Sequence, residues 1–128
     1  MDTLVSAHSI LRWIVLLAGV ASLAVALASW FGSATDRTAR QALLAYAISL
    51  DVQVLLGILI WALGNYWQSP IRQFRFEHPI MMLLALIVAH VAAARARRAQ
   101  APLSAAKGRA LGTGISLLVV LAGIPWNR

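Results

Sequence analysis

Four apolar runs, each about the length needed to cross a bilayer as a helix, fill most of this 128-residue chain and leave no room for a separate soluble domain. Hydrophobic residues make up 61% of it and charged residues 12%, with a mean hydropathy of +0.78. A soluble domain carries about 45–50% and 25% respectively. The sequence therefore predicts an all-α integral membrane bundle of four transmembrane helices, forming one domain over residues 1–128. The first span runs from about Leu4 to Phe31, interrupted by Arg12, and the polar loop GSATDRTARQ follows it. The second runs from about Ala42 to Leu63 and carries Asp51 and Gln53. The aromatic, amphipathic segment NYWQSPIRQFRFE suits the headgroup layer, and Pro79 suits the first turn of a third span reaching about Ala94. A basic stretch, RARRAQAPLSAAKGR, leads to a fourth span from about Ala110 to Ile124.

The eleven Lys and Arg against four Asp and Glu give a net charge of +7, and the placement of the cations explains the excess. Arg37 and Arg40 lie between spans one and two, and Arg95, Arg97, Arg98, Lys107 and Arg109 between spans three and four, all on one side. Arg72, Arg75 and Arg128 fall on the other. The positive-inside bias then predicts both termini outside the cytoplasm and argues against nucleic acid as a partner. Trp13, Trp61, Tyr66, Trp67 and Trp126 gather toward the external side and Trp30 toward the other, as interfacial aromatics do. With no cysteine, the chain has no disulfide, thiolate metal site or covalently attached haem. Ser49, Gln53 and Gly57, and again Gly108, Gly112 and Ser116, recur at four-residue steps, a pattern read as close helix packing within one bundle.

Ionisable side chains inside a span cost about 2.5–3.5 kcal/mol near the bilayer centre, so Arg12, Asp51 and His90 need partners or tasks. Asp51 lies roughly 12 Å and His90 roughly 8 Å above the basic side at 1.5 Å per residue, which predicts an intramembrane Asp51–His90 pair between spans two and three. His8 and His78 both fall near the external ends of spans one and three, with Arg12 and Glu77 close by in sequence. Three uses of that group compete. His8 and His78 are suited to be the two axial ligands of a b-type haem, with Arg12 near a propionate and Met81 and Met82 along the macrocycle. With Glu77 they also make an acceptable zinc or copper set. In the third reading no cofactor is bound: the histidines are interfacial polar groups and Arg12 pairs with Glu77. His90 cannot share a metal with His78, because twelve residues separate them by about 18 Å along a helix.

The sequence has no G-x-S-x-G, Walker A, H-E-x-x-H or dinucleotide fingerprint. The order AHSILRW, LDVQVLLG, EHPIMMLLALIVAH with its basic run, and LAGIPW resembles small bacterial four-helix membrane proteins described as cytochrome b-like. That resemblance implies a compact bundle in the bacterial cytoplasmic membrane, haem b as cofactor, electron transfer as role, and ligands among His8, His78 and His90. Three histidines allow one bis-histidyl haem, whereas larger cytochromes b with two haems carry two histidine pairs. A different class of function stays open beside it: an accessory subunit of a respiratory or photosynthetic complex, contacting lipid, pigment, quinone or larger subunits without chemistry of its own.

Overall fold

In the computed structural model, residues 1–126 are described. Four helices account for most of them: α1 (Asp2–Trp30), α2 (Asp36–Leu63), α3 (His78–Arg98) and α4 (Pro102–Gly123). Between α2 and α3 lie a single 3-10 turn, Tyr66–Gln68, and a π-helical turn, Gln73–Glu77, that runs directly into α3. α1, α2, α4 and the continuous run Gln73–Arg98 are each long and apolar enough to cross a membrane, and even the most enclosed of these spans buries only 44% of its most apolar window. The rest of that surface, including Ile10, Leu17, Leu55, Ile87 and Leu118, faces outward. Such a distribution suits a solvent of hydrocarbon and identifies a multi-pass membrane protein.

The helix ends follow from local chemistry. At the end of α1, Gly32 adopts φ +82, and the Gly32 and Ser33 amides donate back to Ser29 and Ala28. This Schellman pattern needs a residue without a Cβ penalty in the left-handed region. The Thr35 hydroxyl caps α2 by accepting from the Thr38 amide at 3.1 Å. Because of that cap, α2 begins at Asp36 and not near Ala42, and Arg37 and Arg40 are helical rather than loop residues. Likewise α4 starts at Pro102, eight residues before its apolar run, so Lys107 and Arg109 belong to its first turns. Arg128, counted above toward the external charge, lies outside the described residues.

Around the bundle, α1 packs on α2 and α4, and α3 packs on the same two helices, so α1 and α3 face each other across a diagonal. Small residues set the α3–α4 spacing: Ala85, Ala89, Ala92 and Ala96 line the inner face of α3, and a Cβ on Gly112 would collide with Ala92. At the centre, Tyr46 is fully enclosed with Val15, Leu43 and Leu50. Ser116 Oγ donates to the Ala85 carbonyl at 2.8 Å, so its single proton is committed. The Tyr46 hydroxyl is therefore the donor in the 2.9 Å bond to Ser116, and the relay ties α2 through α4 to α3.

Candidate functional site: an imidazole pair across the bundle diagonal

Because α1 and α3 are diagonal, their backbones stay apart, and one end of the gap is a cavity of about 650 Å³ with mostly apolar walls. Two imidazoles enter it. His8 comes from the second turn of α1 and His78 from the first residue of α3. Their ring centres are 6.1 Å apart and their planes nearly perpendicular at 87°. Imidazoles on opposite sides of one metal, with metal–nitrogen bonds of about 2.0–2.1 Å, hold their ring centres roughly 6–6.5 Å apart. The observed separation fits such a pair.

The two rings are held differently. His78 Nδ1–H donates to the Gly123 carbonyl at 2.8 Å. That carbonyl is free because α4 ends there, and no following backbone amide among the described residues bonds to it. With its proton on Nδ1, His78 in the neutral form carries its lone pair on Nε2, and the arrangement is the one by which a carbonyl orients a metal-binding histidine. His8 is set by α2. Gln53 Nε2 donates to the His8 carbonyl at 2.8 Å, and a Cβ on Gly57 would stand 3.1 Å from His8 Cε1. Glycine at that position is what leaves space for the ring.

Three buried polar atoms on cavity-lining residues, His8 Nδ1, Arg12 Nε and Gln53 Oε1, have no hydrogen-bond partner. Buried donors and acceptors without partners are costly, by about 1–3 kcal/mol each, and three on one cavity point to a ligand that meets them. Arg12, also in the lining, keeps its guanidinium carbon 5.0 Å from the Trp13 ring centre and 5.9 Å from that of Trp126. Both Met81 and Met82 pack against Gly123, and of the two only Met82 lines the cavity.

Two expectations about Glu77 are corrected. It pairs with exposed Arg72 at 3.5 Å, not with Arg12. Nor does it complete a metal set with the histidines: among the described residues, no three His, Asp or Glu side chains converge. The local reason is simple helix geometry: Glu77 and His78 are neighbours in one continuous helical run, and neighbours on a helix point about 100° apart, so the two side chains turn to different faces. His90 lies away from the cavity and pairs with Asp51, His90 Nε2–H donating to Asp51 Oδ1 at 2.7 Å. Sequence reasoning missed Gln53 and Gly57 as site residues. The available signal was an amide inside an apolar run with a glycine one turn later, which reads equally well as packing.

The class that fold and site define is a four-helix transmembrane bundle with an imidazole pair facing across an apolar cavity. No known protein family, curated protein or solved structure matches the chain.

Proposed function

We propose that the chain binds one b-type haem between His8 and His78 and serves as a small electron-transfer protein or subunit in the bacterial cytoplasmic membrane. The observation that carries this reading is the 6.1 Å separation of two imidazoles projected from diagonal helices into a 650 Å³ cavity. Bound haem supplies a one-electron couple. The chain's own residues would hold it: His8 and His78 through their imidazole nitrogens, Arg12 through its charge toward a propionate, with the Gly123 carbonyl fixing the His78 tautomer. Apolar walls, Met82 among them, favour a planar hydrophobic group over a hydrated ion. The resemblance to cytochrome b-like proteins points the same way.

The test is a visible spectrum of detergent-purified protein, produced with adequate haem supply. A dithionite-reduced b-type band, lost in His8→Leu and His78→Leu but kept in His90→Leu, is expected. Colourless wild type without stoichiometric haem overturns the reading, and if it co-purifies with larger subunits the accessory role takes its place.

The same proposal places both termini outside the cytoplasm, because Arg37, Arg40, Arg95, Arg97, Arg98, Lys107 and Arg109 share one end of the bundle. Cysteines at Thr3 and Ser104 test it in intact cells with an impermeant thiol reagent. Labelling is expected at Thr3 only, and labelling at Ser104 alone reverses the orientation.

A further inference from the structure

At the end of the bundle remote from His8 and His78, a second cavity of about 160 Å³ opens between α2, α3 and α4. It is lined by three guanidinium-bearing side chains, Arg40, Arg97 and Arg109, and by the Gln41 amide. Arg109 is buried, and its Nη1 donates to Asp36 Oδ1 at 2.6 Å. Among the described residues, Asp36 is the only carboxylate in an ion pair with any of the three; Arg40 and Arg97 form none. Three cations against one anion leave a surplus of two positive charges around a concave site. A buried arginine with two exposed ones around the same cavity, and one carboxylate paired among them, makes a concave site of net positive charge that favours an anion.

We infer that this cavity binds the phosphodiester of an anionic phospholipid. Arginines present forked N–H donors that match phosphate oxygens in pairs, which a single ammonium cannot do. The choice of a lipid over free phosphate comes from what adjoins the cations. Leu44 forms part of the lining and Ile48 follows it one turn deeper on α2; both are half exposed toward the hydrocarbon. Arg40, Leu44 and Ile48 are spaced four residues apart and so share one helix face, a cationic head above an apolar track. An acyl chain can lie along that track while its phosphate sits among the guanidiniums. Basic clefts between spanning helices take anionic headgroups on this principle.

The experiment uses the full chain in neutral detergent with about 0.5 M salt, where a screening length of ~4 Å suppresses diffuse attraction to the basic end. Dioleoyl phosphatidylglycerol, dioleoyl phosphatidylcholine and inorganic phosphate are titrated separately, and the shift of each protein's own lipid-free unfolding midpoint gives an apparent affinity. Phosphatidylglycerol should stabilise the wild type, with little effect from phosphatidylcholine or phosphate. The exposed-residue double variant Arg40→Ala/Arg97→Ala should lose about tenfold or more in affinity. Arg37→Ala/Arg98→Ala, which removes two cations outside the cavity, should stay within about twofold of wild type. Unchanged affinity in the first double variant, or an equal loss in the second, overturns the site. Saturation of the same shift by inorganic phosphate makes it a free-anion site and overturns the lipid assignment, as does equal stabilisation by phosphatidylcholine.

Discussion

Asp51 and His90 clasp α2 to α3 on the outer face of the bundle, 2.7 Å apart and each about half exposed. Neither has water to turn to at that depth in a bilayer, so each is the other's solvation. Replacing one should cost more than replacing both. His90→Leu or Asp51→Leu alone is expected to lower stability in lipid by about 1–2 kcal/mol, near the upper range for interhelical polar contacts in membranes. The double variant should recover most of that loss, since no unpaired polar group remains. A double-mutant cycle on reversible unfolding in bicelles measures this, and a coupling indistinguishable from zero contradicts it.

This pair was legible in the sequence because depth along a helix is simple arithmetic: 1.5 Å per residue, counted from the basic ends, brought residues 51 and 90 to nearly one level. The four spans were legible for a similar reason, since hydropathy reports the solvent. What hydropathy does not report is where a helix begins inside polar sequence. Thr35 and Pro102 set those starts through capping and a preset φ, and both lie outside the apolar runs. The direction of Glu77 was legible in principle, since neighbours on a helix point about 100° apart and a residue directly before His78 turns to another face. Gln53 and Gly57 carried only the spacing of ordinary packing, and their relation to His8 depends on how α1 settles against α2.

The buried relay from Tyr46 through Ser116 to the Ala85 carbonyl ranks its own members. Tyr46→Phe removes a donor and leaves Ser116 still bonded, for an expected loss of about 1 kcal/mol. Ser116→Ala strands the Tyr46 hydroxyl in a fully enclosed place and should cost more, roughly 1–3 kcal/mol. Thermal or denaturant unfolding of both variants checks the order, and Tyr46→Phe proving the worse of the two would show that the relay is assigned wrongly.

Arg109 and Asp36 make an unequal pair, the arginine side chain 3% exposed and the carboxylate 49%. Asp36→Ala leaves a buried guanidinium without its anion, and a loss of about 3 kcal/mol is expected, at the low end for broken buried pairs because Asp36 itself is half exposed. Asp36→Ala combined with Arg109→Met should restore much of the stability by removing the stranded charge while keeping its bulk. If Asp36→Ala unfolds at the wild-type denaturant midpoint, Arg109 has another anion.

Gly57 and Gly108 separate helix propensity from space at the histidine. Alanine should favour a helix over glycine by about 1 kcal/mol at either site. At Gly108 nothing lies within 4 Å of the added Cβ, so Gly108→Ala should stabilise the protein and leave its cofactor content alone. At Gly57 the new methyl would stand 3.1 Å from His8 Cε1, closer than carbon atoms normally pack, and the imidazole must swing or α1 must shift. The gain in propensity should then be offset by crowding. Under the haem proposal, Gly57→Ala should retain severalfold less haem per protein than wild type, with an altered reduced band in what remains, because a displaced His8 no longer opposes His78. Haem content by pyridine haemochrome, measured beside unfolding midpoints for both variants, reads the two effects separately. Equal stabilisation by both alanines with full haem retention would mean that Gly57 does not set the position of His8.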